Sequence, residues 1–139
     1  MSWRWSLLIC VSLWGLWGFW GKLAAVRMSW AMAALLTALG GVLGLGLAGP
    51  WLVGRLHWPG WGGLGIALAC GVAGGIGGLF YMQALQQGPA SLVVPLSQVY
   101  LVITVLLAVV FLGESLTLRK LLGLGLMMAG AALLAREGM

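Results

Sequence analysis

The chain has 139 residues, 63% of them hydrophobic and 6% charged, with a formal net charge of +5. Soluble domains carry about a quarter charged residues, and two acids with seven bases cannot give every surface helix a polar face. The bases stand between apolar runs, as in the loops of membrane proteins, and not clustered on one face as nucleic-acid binding requires; nucleic acid is therefore excluded as a partner.

An all-α polytopic membrane protein is expected, because lipid tolerates an apolar exterior. At about 20 residues per crossing, five spans and short loops fill the chain as a single domain, 1–139, and no extramembrane catalytic domain fits. Span one covers about residues 5–21. A cleavable signal peptide would also place Arg4 before an apolar stretch and Ala24-Ala25 after it. However, Trp14, Trp17 and Trp20 are bulky for such a segment, and Lys22 falls just before the supposed cleavage site. Span two covers about 28–48 and is ended by Gly49-Pro50, since proline cannot continue the helix ladder. The loop from Trp51 to Trp61 holds Arg55, a solitary His57 and three tryptophans, which suit an interfacial belt.

Span three covers about 62–83 and closes in the turn Gln86-Gln87-Gly88-Pro89. Span four covers about 90–112, and Gly113-Glu114-Ser115 forms the next turn. Span five covers about 118–135; its apolar core is short, so Arg119, Lys120 and Arg136 snorkel toward the headgroups. All five runs are continuously apolar over helix length, which excludes the alternating polarity of a membrane β-barrel. Glycine occurs 24 times. The pairs Gly40/Gly44, Gly71/Gly75 and Gly74/Gly78 make flat stripes where helices approach closely, and are read as packing within one subunit, with a dimer seam as the alternative. Cys10 and Cys70 lie in apolar runs with no pairing or metal-ligand spacing, and are read as small packing residues.

Five spans put the termini on opposite sides. Arg4, Arg55, Arg119 and Lys120 then face Lys22, Arg27 and Arg136. The Lys/Arg difference sets orientation, and four against three barely does. Insertion in both orientations, with pairing as an antiparallel homodimer, is one reading; a single fixed orientation is the other.

Polar residues at membrane depth are costly and tend to face a cavity or a partner. Span four holds most of them: Ser91, Pro95, Ser97, Gln98, Tyr100 and Thr104. Ser91, Pro95 and Gln98 share one helix face at i, i+4 and i+7. Pro95 removes a backbone hydrogen bond and kinks the helix, so a cavity wall is expected here. Trp14 near the middle of span one, Trp17 beyond it and Tyr81 near the end of span three are further cavity candidates, with Gln83 a weaker one. No acid lies inside a span, where proton-coupled pumps keep one. The acids are Glu114 in a turn and Glu137 at the tail. Glu114 suits the start of span five, where the helix dipole favours an anion; a Lys22–Glu114 pair across subunits is the alternative. No nucleophile–base pair, cofactor motif or metal constellation is visible, so an enzyme is not expected.

The stretch Leu79-Phe80-Tyr81-Met82-Gln83-Ala84-Leu85-Gln86-Gln87-Gly88-Pro89-Ala90-Ser91 leads into Val94-Pro95-Leu96. It continues to Phe111-Leu112-Gly113-Glu114-Ser115-Leu116-Thr117, then Gly123 and Gly130. This resembles the last three helices of an EamA-type domain of the drug/metabolite transporter superfamily. Trp14-Gly15, with Lys22 and Ala24 following, is similar to that family's first helix. The resemblance covers nearly the whole chain and is weakest in span two. Most such transporters carry two five-helix domains of inverted topology, so it implies that this half-transporter assembles from two copies. It also implies a small-molecule substrate held between the repeats near the midplane, no cofactor, and residence in the cell inner membrane. The related small multidrug resistance proteins use a first-helix glutamate; here that region offers Trp14 and no acid. The expected function is transport of a small metabolite or drug-like solute. Flipping of a lipid-linked group, and a non-transporting membrane subunit, are the alternatives.

Overall fold

The computed structural model describes residues 3–137. Residues 1, 2, 138 and 139 of the expected domain lie outside them, as does the Glu137 side chain. Every element among the described residues is helical, and five stretches are long and apolar enough to cross a membrane: Ser6–Arg27, Trp30–Leu47, Gly60–Gln87, Ala90–Leu112 and Leu118–Arg136. The chain divides into two compact units, residues 1–87 and 88–139.

The first unit holds α1 (Trp3–Arg27), α2 (Trp30–Leu47), a short α3 (Gly49–Leu52) running into a 3₁₀ turn (Val53–Arg55), and α4 (Gly60–Gln87). The first helix passes unbroken through Lys22, Ala24 and Ala25 to Arg27, beyond the expected end at Gly21. Ser29 then caps α2, its Oγ accepting from the Met32 N–H at 3.3 Å; such a cap satisfies one of the orphan donors at a helix start. Pro50 does not end α2, which has stopped at Leu47. It sits in the first turn of α3, where a missing N–H costs nothing. The loop expected over 51–61 is thus partly helical. In it Arg55 lies over the Trp51 ring at 4.3 Å, and Trp58 meets Trp61 edge to face at 5.5 Å. Gly60 opens α4 at φ +73°, a left-handed conformation that glycine adopts freely.

In this unit α4 packs on both α1 and α2, and α1 packs on α2. The tight part lies at one end. Ala25, Ala33, Met82 and Leu85 are essentially inaccessible. Gly21 lets α1 and α4 approach: a Cβ there would stand 3.4 Å from Leu85 Cδ1 and from Met82 Cε. The glycine pairs read as packing stripes behave differently. A Cβ added at Gly40, Gly44, Gly71, Gly74, Gly75 or Gly78 would meet nothing within 4 Å, so these glycines leave space where contact was expected.

The second unit holds α5 (Ala90–Ser97), α6 (Tyr100–Leu112) and α7 (Leu118–Glu137), with α5 packed on α7. The fourth span is therefore a broken helix. Pro95 lacks the N–H that would continue the ladder, and the chain tightens just after it. Gln98, Val99, Leu101 and Val102 each donate a backbone N–H three residues back, at 3.0–3.2 Å. This is the 3₁₀ pattern. Gly113 ends α6 at φ +67°, which lets the Glu114 N–H reach back to Ala108 O at 3.4 Å. Thr117 opens α7, its Oγ1 accepting from the Lys120 N–H at 3.3 Å.

Candidate functional site

Glycines of α4 line a wide cavity. A cleft of about 330 Å³ runs between α2 and α4 in the first unit, with Trp17 of α1 among its lining residues. Gly74, Gly75 and Gly78 form one flat wall; Ala34, Thr37 and Ala38 face it from α2. Trp17, Thr37 and Gly74 each fall at the middle of their spans. None of the ten lining residues is ionisable.

The Trp17 indole stacks on the Tyr81 ring, with centroids 5.1 Å apart and planes 13° from parallel. Offset stacking of this kind fixes both rings. Tyr81 itself does not line the cleft. Thr37 supplies the cleft's one hydroxyl. Three hydroxyls elsewhere in the spans bond back to their own helices: Ser12 to Leu8 O, Ser97 to Val94 O and Thr104 to Tyr100 O. Such back-bonding removes the cost of a bare hydroxyl in hydrocarbon. Among the described residues Thr37 makes no such bond.

Below the cleft, toward the end of α4, Lys22 Nζ donates to Leu85 O at 2.6 Å, and Gln86 Nε2 donates to Met28 O at 3.1 Å. Leu85 O is one of the last carbonyls of α4, which have no partner within their own helix, and a cation is favoured there by the helix dipole.

The second cavity is a small notch in the second unit, at the break in the fourth span. Pro95, Gln98 and Val102 line it from one side, and Met127, Met128 and Ala131 of α7 from the other. Its volume, about 20 Å³, suits a single water molecule. Gln98 Nε2 stands 3.5 Å from Ser97 Oγ, at the outer limit of a hydrogen bond, and the residue is half-buried.

The residues expected to line a cavity thus divide. Trp17 and Tyr81 come together in the first unit, and Pro95 and Gln98 in the second. Trp14 is 62% exposed and does not line the cleft. Ser91 and Tyr100 are exposed and lie outside the notch. The Ser97 and Thr104 hydroxyls are occupied by their own helices. Glu114 pairs within the chain with Lys120 at 3.6 Å, and Lys120 also donates to Ser115 O. With Lys22 bonded to Leu85 O, both charges have partners inside one subunit. Thr37 and the glycine wall were missed as site residues. Thr37 is the one hydroxyl residue inside the apolar run of α2, and that isolation was the available signal.

Five apolar helices long enough to cross a bilayer, with cavities at mid-span, define a multi-pass membrane protein. The family model for the EamA-like transporter family matches residues 1–136, and the chain belongs to that family. That places it in the drug/metabolite transporter superfamily. An uncharacterised protein of Methanocaldococcus jannaschii is 47% identical over 60 residues, which are 43% of this chain and 44% of that protein. A Sinorhizobium protein named as an uncharacterised transporter in the cobO 3′ region is 43% identical over 77 residues, 55% of this chain and 54% of its own length. The chain thus spans about half the length of the curated relatives it matches. No solved structure matches.

Proposed function

We propose that this chain carries a small solute across the cell inner membrane as a homodimer, exposing a mid-membrane site to each side in turn. The observation that carries the reading is the cleft of about 330 Å³ at the middle of three spans. Ligand pockets begin at about this size, and transporter sites lie near the midplane. Pairing is supported by the resemblance to transporters built from two five-helix domains, of which this chain holds five spans. The near-even Lys/Arg balance supports an antiparallel pair. None of the cleft's lining residues is a carboxylate, so the reading places no carboxylate proton carrier there.

The test is counterflow in proteoliposomes loaded with a panel of neutral, cationic and anionic solutes. Accumulation of one solute class, lost on Trp17→Ala while the variant still purifies as a folded protein, supports the reading. If every class equilibrates only at the rate of protein-free vesicles, transport by this chain alone is refuted. Cysteine labelling from each side tests the pairing separately. Labelling of one site from both sides supports dual insertion, and labelling from one side overturns the antiparallel dimer.

A further inference from the structure

We infer that the cleft between α2 and α4 is a site for an uncharged molecule with one flat aromatic ring system and one hydrogen-bonding group, of the size of phenol or indole. The inference rests on the transporter reading for its purpose but not for its chemistry.

Size comes first. An apolar cavity of about 150 Å³ is enough to hold benzene; the cleft, at about 330 Å³, has room for a fused two-ring molecule. Shape follows from the walls. Gly74 and Gly78 lie one turn apart, with Gly75 beside them, and carry no side chains, so this side of the cleft is a flat strip of backbone. Trp17 enters from α1 with its ring plane held by Tyr81 at 5.1 Å and 13°. A fixed indole beside a flat strip suits a planar ring better than a branched or globular one, because aromatic pairs gain from stacking beyond the area they bury.

Charge comes next. Entering the cleft strips a solute of water, and a bare ion in that setting is very costly unless an opposite charge meets it. No lining residue offers one. Thr37 supplies the polar contact: its hydroxyl is open to the cleft and bonded to nothing. It can donate to or accept from a phenol hydroxyl, or accept from a ring N–H, where the hydroxyls of Ser12, Ser97 and Thr104 are already taken up by their own backbones.

The glycines make the test clean. A Cβ at Gly78 or Gly71 meets nothing within 4 Å, so neither position is closed to a side chain at its base, yet only Gly78 lines the cleft. Full-length protein in nanodiscs is assayed by equilibrium dialysis against labelled indole and phenol, their charged counterparts tryptamine and indole-3-acetate, and the saturated ring cyclohexanol. Indole and phenol are expected to bind at least roughly tenfold more tightly than the charged compounds, as an uncompensated buried charge implies, and about twofold to tenfold more tightly than cyclohexanol, which cannot stack on Trp17. Gly78→Leu and Trp17→Ala should each abolish this binding and Thr37→Val weaken it, with Gly71→Leu as wild type. Equal binding of tryptamine or cyclohexanol overturns the inference, as does indole binding that survives Gly78→Leu. The two readings fail separately. Indole binding abolished by Gly78→Leu, with no counterflow of any solute, overturns transport and keeps the ring site. Counterflow of another solute, with no binding of indole or phenol, does the reverse.

Discussion

The two units open space at mid-membrane by opposite means. In residues 1–87 the helices run unbroken and the space comes from missing side chains, the glycines of α4 facing the alanines of α2. In residues 88–139 the side chains are full-sized and the helix itself is broken, at Pro95 and the 3₁₀ step behind it. The first device gives a slot whose walls meet at a closed end around Leu85. The second gives a joint. No residue from 88 to 136 is fully buried, whereas the first unit has Ala25, Ala33, Met82 and Leu85. Under the proposed transport cycle, a slot packed at one end and a joint at the helix break would divide the work, the first holding a solute and the second allowing movement around it.

Substitutions can break that comparison, and the largest effect should come from the closed end of the slot. Leu85→Ala empties a fully buried position and should cost about 2–5 kcal/mol, read as a fall in melting temperature in detergent. Leu106→Ala, half-exposed in α6, should cost close to nothing. Equal losses would mean that the two units are not differently packed. Next in size is Lys22→Met. It removes the charged donor from Leu85 O and should cost roughly 1.5–3 kcal/mol, the range for hydrogen bonds to charged groups. Pro95→Ala should act in the opposite sense. Restoring a backbone N–H to a helix that lacks one should raise stability by about 1 kcal/mol, part of what an interior proline costs, while slowing counterflow by stiffening the joint. If stability rises and counterflow is unchanged, the joint is not part of the cycle. The smallest effect belongs to Glu114→Gln. The Glu114–Lys120 pair is about half exposed on both sides, so it contributes about 0–1 kcal/mol, and its removal should be undetectable in high salt.

The spans were legible because each is a long apolar run, and hydrocarbon leaves a chain few other options. The break was legible too, since a proline within such a run has one effect on the ladder. Pro95 and Gln98 share the notch at the spacing the sequence suggested. Ser91, a turn before Pro95 in α5, lies outside it. The cleft was far less legible. In a soluble helix the apolar stripe marks the inside, but here apolar residues surround every span, so nothing in the pattern separated Trp14, exposed, from Trp17, three residues on and stacked on Tyr81. The glycine pairs misled for a related reason: a helix without side chains can lie against a neighbour or stand away from it, and the sequence is the same in both cases.

Lys22 and Gln86 tie the last turns of α4 to α1 and to the α1–α2 turn, while the opposite end of α4 has no buried residue. The helix is 28 residues long, or about 42 Å at 1.5 Å per residue. It is therefore a lever clamped at one end. A tilt of about 5° at the clamp would carry the far end, near Trp61, through roughly 4 Å by the same geometry. The glycine wall lies part-way along that arm, so small rotations at the Lys22 clamp would set the width of the slot, and spin labels at Trp61 and Leu47 would report the swing as a change in their separation.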